Sequence, residues 1–300
     1  MRSSKAQAVR YEILTATGWQ EYALLDSGNG LRLEQYGRFR ILRPAPQAMW
    51  RPALDESAWQ AAEAIFQPSG GESGGEWYYP KTPLPDHWQM SYRELKFQVF
   101  SGASRHVGVF VEQSPQWDWI RETIQSVGQP LQVLNLFAYS GLATLAAAIA
   151  GAKVTHVDAS KKIVQIARQN QALSGLSDRP VRWIVDDALK FLKREIRRGV
   201  RYDGIILDPP KFGRGPKGEV WEFFELLPNL LELCRQALSP HPRFFVLTAY
   251  ALQASAVSLY YAVQELLSIR NGELSCGELA LAEQSAGRLL PLAIYVRWRA

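Results

Sequence analysis

From about Trp117 onward, short apolar runs alternate with stretches whose apolar positions recur every three or four residues. The first kind reads as buried strands and the second as amphipathic helices. In order, the chain predicts helix "WDWIRETIQSV", strand "LQVLNLFA", helix "LATLAAAIAGA", strand "KVTHVDA" and helix "KKIVQIARQNQALSG". Strand "VRWIVDD", helix "ALKFLKREIRRG", strand "YDGIILDPP", helix "FELLPNLLELCRQAL", strand "RFFVLTAY" and helix "SAVSLYYAVQELLSI" follow. Two closing strands, "GELALAEQSA" and "RLLPLAIYVRW", complete the pattern. Strict alternation of strand and helix implies a mostly parallel sheet with helices on both faces, a doubly wound α/β fold.

The pattern before residue 100 is different. Short alternating segments, "YALLD", "LRLEQYG" and "RFRILRP", are separated by turn signals such as "SGNG" and read as small antiparallel strands. "ESAWQAAEAIF" predicts one helix with Ser57 as its cap, and "QPSGGESGGEWYYPKTPLPDHW" a loop-rich stretch before strand-like "LKFQVF". The expected organisation is a small β-rich accessory or substrate-recognition domain over 1–103 and the α/β domain over 104–300.

In a doubly wound sheet the ligand sits at the carboxyl ends of the strands. The first strand runs into "NLFAYSG", which offers Asn135, Phe137, Tyr139, Ser140 and one glycine, Gly141. Loops that cradle phosphates need several glycines so that backbone amides can approach the anion. The second strand ends at Asp158, before Ala159 and Ser160; the third at Asp186 and Asp187, before Ala188; the fourth at Asp208, before Pro209 and Pro210. A carboxylate at the second strand end suits the vicinal diol of a ribose, and Asp187 at the third suits the amine of adenine. Any one of these acids serves equally well as a helix cap. As a series they describe a site for adenosine without phosphate, and S-adenosylmethionine, whose tail is an amino acid, has that chemistry.

"VLNLFAYSG", "VDASKKIVQIARQN", "DDALKFL" and "ILDPPKF" resemble the motifs of class I S-adenosylmethionine-dependent methyltransferases. More narrowly they resemble the bacterial large-subunit ribosomal RNA methyltransferases that modify carbon 5 of cytosine or nitrogen 7 of guanine, from about Gly108 onward. The resemblance implies a Rossmann-like seven-stranded sheet closed by an antiparallel strand, which "LALAEQSAGRLLPLAIYVRW" supplies as a hairpin. It also implies that Glu112 and Gln113 of "GVFVEQSPQWDW" line the cofactor site. The turn with Asp208, Pro209, Pro210 and Phe212 would then present the acceptor to the methyl group, with Asp208 and adjacent backbone carbonyls facing it. Lys211 stands directly after the prolines, where enzymes acting on exocyclic amines carry an aromatic. The cytosine reaction needs a cysteine nucleophile. After the fourth and fifth strands this chain has Lys211 and "LTAYA" instead, which favours direct transfer to an atom with its own lone pair, such as a ring nitrogen of guanine.

Charge adds a partner class. The net charge is +5, and Lys211, Arg214 and Lys217 cluster beside the proposed catalytic turn, where they would hold the phosphates of RNA. A protein or small-molecule acceptor, a nucleotide-binding oxidoreductase and a non-catalytic binding protein are the other readings; the missing glycines count against the oxidoreductase. Cys234 and Cys276 lie far apart with no neighbouring histidines, so two reduced thiols and no metal site are expected. No long apolar run marks a membrane span or a leader, and the expected location is cytoplasmic.

Overall fold

The computed structural model describes residues 8–69, 74–102, 104–267 and 271–300. The expected loop around residues 70–73 and the last residues of helix "SAVSLYYAVQELLSI" lie outside these. The N-terminal part contains β1 (Arg10–Thr15), β2 (Tyr22–Gly28), β3 (Leu31–Tyr36), β4 (Phe39–Pro44), the short helix α1 (Glu56–Gln60), β5 (Ala64–Pro68), β6 (Gly75–Tyr78), β7 (Trp88–Tyr92) and β8 (Leu95–Val99). Strands β2 to β6 form one sheet in chain order, with only β4 and β5 parallel, and β7 and β8 form a separate hairpin.

Two expectations change here. The helix predicted from Glu56 to Phe66 stops after Gln60, and its cap is Asp55, which accepts from the Ala58 amide at 3.1 Å. Ala64 to Phe66 belong to β5, because Ile65 and Phe66 pair with Tyr78 and Trp77, and sheet pairing outweighs a run of good helix formers. The unpredicted strand β1 pairs in parallel with the far end of the chain, Arg10 opposite Ser275 through Thr15 opposite Ala280. It therefore adds an eighth strand to the seven-stranded sheet expected for the C-terminal part.

That part begins with a tight turn at Val111–Gln113 leading into α2 (Ser114–Val127). Next come β9 (Gln132–Leu136), α3 (Leu142–Ile149), β10 (Lys153–Asp158), α4 (Lys161–Leu173), β11 (Val181–Val185), α5 (Ala188–Arg197) and β12 (Gly204–Leu207). A small hairpin, β13 (Phe212–Arg214) and β14 (Val220–Glu222), precedes α6 (Phe223–Ala237), β15 (Phe244–Tyr250), α7 (Ala256–Leu266), β16 (Glu273–Ala282) and β17 (Leu289–Arg299). The sheet order is β1-β16-β17-β15-β12-β9-β10-β11. Strand β17 runs antiparallel to both its neighbours, so the closing hairpin inserts a reversed strand as expected. Chain direction across the sheet switches between β9 and β12, and crevices in such folds open at that point.

The two parts share a core. Tyr36, Ile41, Phe97 and Val109 pack in one cluster with Leu142, Leu145 and Ala146 of α3 and with Leu281 and Leu290 of the closing hairpin. Asn170 of α4, fully buried, accepts from the Gln98 amide of β8 at 2.9 Å and donates to the Ser140 carbonyl at 3.0 Å. A single side chain thus ties the N-terminal hairpin to the loop after β9.

Candidate active site

The loop after β9 has an unusual backbone. Phe137 (φ 55°), Tyr139 (φ 47°) and Gly141 (φ 88°) all lie in the left-handed region. For an aromatic residue this costs on the order of 1–2 kcal/mol, so other interactions must hold it. The Ala138 amide donates to the Val157 carbonyl at 3.1 Å and the Tyr139 amide to Asp158 Oδ2 at 2.9 Å. The Phe137 ring packs on Trp221 and the Tyr139 ring on Phe110, at 5.0 and 5.3 Å between centroids. Gly141 is required twice, because a Cβ there would also stand 3.0 Å from the Ala167 Cβ of α4. One glycine suffices because two aromatic residues take the backbone conformation usually left to glycine.

A buried chain of polar groups supports the loop from below. Asn135 Nδ2 donates to Thr144 Oγ1 at 3.0 Å, and Thr144 Oγ1 is 2.9 Å from His156 Nδ1. Burial holds His156 neutral, with its pKa pushed down to about 3.

Asp158 accepts from the amides of Tyr139 and Ser160 at 2.9 Å, one through each carboxylate oxygen. Burial raises its pKa and the two amides oppose the shift. Each oxygen keeps a second lone pair for ligand hydroxyls. Asp186 and Asp187 are placed differently. Asp186 pairs with Arg194 at 2.5 Å, and Asp187 caps α5 by accepting from the Lys190 amide at 2.9 Å, directly before the buried Ala188. Neither acid lines the cavity described next.

A cavity opens at the carboxyl ends of β9 and β12. Its walls are Phe110, Gln113 and Trp117 from the entry to α2, Asn135 and residues 137–143 from the first loop, Ile206 to Asp208, and Thr248 of β15. Gln113 Nε2 donates to Asp208 Oδ2 at 3.1 Å, while Gln113 Oε1 accepts from the Thr248 hydroxyl at 3.5 Å. Asp208 has its pKa pushed up to about 8, first by burial and then by the charge of Glu112; the bond from Gln113 offsets only part of this. Glu112 is itself buried, which raises its pKa, with Arg32 the strongest opposing influence. The Tyr250 hydroxyl is buried near Glu112 and Asp208, and burial first, then these two carboxyls, raises its pKa.

In the turn after β12, the Pro210 carbonyl accepts from Trp221 Nε1 of β14 at 2.6 Å. Phe212 is 53% exposed at the start of the β13–β14 hairpin, which also carries the exposed Arg214. Lys217 stands at the hairpin tip, where its amide donates to Glu219 at 2.8 Å. Glu219 is also ion-paired to Lys190 of α5, which fixes the hairpin against the α/β core. Sequence reasoning missed Phe110, Trp117, Thr248 and Tyr250. Only their positions, just before or in the first turn of α2 or late in β15, marked them, since nothing in their residue types distinguishes them from core.

The site has aromatic walls and polar groups along one rim, the Asp208 carboxyl among them. Such a set fits a nucleoside, and S-adenosylmethionine is one. Fold and site together define an α/β enzyme of the doubly wound nucleoside-binding class. The family model described as S-adenosylmethionine-dependent methyltransferase matches residues 46–237. The chain belongs to that family. The match begins after β4, so it takes in the later portion of the N-terminal part. A solved S-adenosylmethionine-dependent methyltransferase from Agrobacterium tumefaciens is 44% identical, with a TM-score of 0.91 over 98% of this chain and 96% of that one. Ribosomal RNA large subunit methyltransferase I of Shewanella amazonensis is 29% identical over 70% of this chain and 56% of its own length. Ribosomal RNA large subunit methyltransferase K/L of Chromohalobacter salexigens is 29% identical over 82% of this chain and 34% of its own. The chain thus spans between about a third and just over half of these two curated relatives. No helix among the described residues is long and apolar enough to cross a membrane.

Proposed function

We propose that this protein methylates a base of RNA, with ribosomal RNA as the substrate and the cytoplasm as the place of action. S-adenosylmethionine supplies a methyl group on a sulfonium, which is open to direct displacement by an acceptor lone pair. What the chain contributes is position. The reading is carried by the turn after β12, where Asp208 opens on the cavity and the next residues run straight into an exposed hairpin bearing Phe212 and Arg214. Asp158 would hold the ribose through its remaining lone pairs, and Gln113 orients Asp208. The Phe212 ring offers a base a stacking surface, and Lys211, Arg214 and Lys217 offer phosphates a basic rim. Two curated relatives are named for ribosomal RNA methylation, which supports the choice of acceptor.

Direct transfer without a cysteine nucleophile is supported by where the thiols lie. Cys234 and Cys276 are fully buried in the cluster that packs α6, α7 and β16 together, and burial pushes the Cys234 thiol far above its ordinary pKa. No cysteine lines the cavity. Incubation with tritiated cofactor and deproteinised ribosomal RNA from a strain lacking the gene tests the proposal. Label in RNA, at one nucleotide by digestion and chromatography, is expected; label in protein or metabolites alone overturns it.

A further inference from the structure

The β13–β14 hairpin has two unlike faces. Gly213 and Trp221 stand opposite each other on the inner one, where Trp221 is 4% exposed. Phe212 and Val220 alternate with them and are 53% and 54% exposed, on the face that also carries Arg214 and Glu222. The hairpin is fastened at both ends. At its tip Glu219 is ion-paired to Lys190 of α5, and at its base the Phe223 amide donates to the Lys211 carbonyl at 3.0 Å. Neither Lys190 nor Lys211 is a wall of the cofactor cavity.

The contact made by Trp221 is of another kind, because it reaches both halves of the site at once. Its Nε1 donates to the Pro210 carbonyl at 2.6 Å, two residues after Asp208, and its ring packs on Phe137 at 5.0 Å between centroids. Asp208 and Phe137 are both walls of the cavity. Gly213 permits this approach, since a Cβ there would stand 3.2 Å from Pro210 Cγ and 3.8 Å from Trp221 Cβ. Buried within the main core cluster, the indole ties hairpin, turn and first loop together.

The backbone of Phe137 decides what passes through this contact. Its left-handed conformation costs on the order of 1–2 kcal/mol, so with the cavity empty the loop has a less strained place to go. A ligand seated against Phe137 closes that route and holds its ring on Trp221. We propose that Trp221 is a positioning residue through which an occupied cofactor cavity holds the β13–β14 hairpin and the turn after Asp208 in place. The methyl donor is then seated before the acceptor surface is set, and by reciprocity an acceptor on the hairpin tightens cofactor binding. That the hairpin holds the acceptor rests on the RNA reading above; the link from cofactor to hairpin does not.

Hydrogen exchange read by mass spectrometry compares wild type, Trp221→Phe and Gly213→Val, each with and without saturating S-adenosylhomocysteine. Trp221→Phe keeps a ring beside Phe137 and removes the N–H, whereas Gly213→Val sets side-chain atoms between the hairpin and Pro210. In wild type the ligand should slow amide exchange in residues 137–141 and in residues 211–222, each by about fivefold or more, the low end of ordinary coupling between sites. In both variants residues 137–141 should respond as before and residues 211–222 by less than about twofold. A merely structural role would speed exchange of the hairpin in the variants and leave its response to ligand intact. A wild-type hairpin that ignores the ligand overturns the proposal, as does a variant hairpin that responds like wild type; the wild-type comparison decides even where a variant does not fold. Exchange needs no acceptor, so a responding hairpin in a protein that never labels RNA leaves this proposal standing while the RNA reading falls. RNA labelled by a protein whose hairpin ignores S-adenosylhomocysteine does the reverse.

Discussion

Strands β10 and β11 are neighbours, each ends in aspartate, and each leads into a helix, yet their acids do different work. Asp158 reaches out of its own strand and clamps the loop after β9 through the Tyr139 amide. Asp187 stays local and caps α5, while Asp186 is held by Arg194. Sheet order supplies the reason. Strand β10 lies beside β9, so its carboxyl end abuts the first loop, whereas β11 is the edge strand, one strand spacing of about 4.8 Å further away. An acid at the end of a strand beside β9 reaches the first loop, whereas an acid at the end of the edge strand stays local.

On the other side of β9, β12 flanks the switch point, and its acid, Asp208, lines the cavity. Asp208→Ala should lower methyl transfer by about 10³-fold, as expected when a group beside the reacting atoms is lost, and leave cofactor affinity within a few-fold. Steady-state rates and calorimetry on one preparation check this. Activity within tenfold of wild type would remove Asp208 from the catalytic turn.

The next largest effect belongs to Asp158. Asp158→Ala strips the acceptor from the Tyr139 and Ser160 amides and releases a loop held in left-handed conformations. Cofactor affinity should fall by about 10- to 100-fold, and the melting temperature by on the order of 2–6 °C, from one or two unmet buried donors. Asp187→Ala, by contrast, should cost about 1 kcal/mol of stability through the lost cap and change cofactor affinity by less than about threefold. If Asp187→Ala costs as much affinity as Asp158→Ala, the comparison breaks, and Asp187 holds the adenine after all.

Much of this was legible in the sequence, for identifiable reasons. The alternation after Trp117 gave the sheet and its closing hairpin because buried parallel strands and amphipathic helices have distinct periods. Asn135, Gly141 and Asp208, which line the cavity, were legible as candidates because they sit at or just beyond the carboxyl ends of strands. Strand β1 was not, since its pairing with β16 joins residues about 265 positions apart and its exposed Tyr11 and Ile13 carry no core signal. The burial of Arg32 was equally hidden. In "LRLEQYG" it alternates like a solvent-facing residue, and only the fold sets it opposite Arg43 and beside Glu34.

The smallest effect is the pH dependence that the neighbours of Asp208 impose. With its folded pKa raised to about 8, the carboxyl keeps a proton that the unfolded chain loses near pH 4. Between those values the folded state binds more protons, so stability present in acid is lost as pH rises toward about 8. The sulfonium of the cofactor favours the ionised form, so binding near pH 7 should release a fraction of a proton. Calorimetry of S-adenosylmethionine in phosphate and Tris, whose ionisation enthalpies differ, reads that fraction, and Asp208→Asn should abolish it. The same variant should narrow the difference in melting temperature between pH 5 and pH 8.5 by a few degrees at most, because Asp208 lies at the open wall of the cavity. Asp187→Asn, away from the cavity, should leave the proton release intact; equal loss in both variants would mean that the two strand ends titrate as one site.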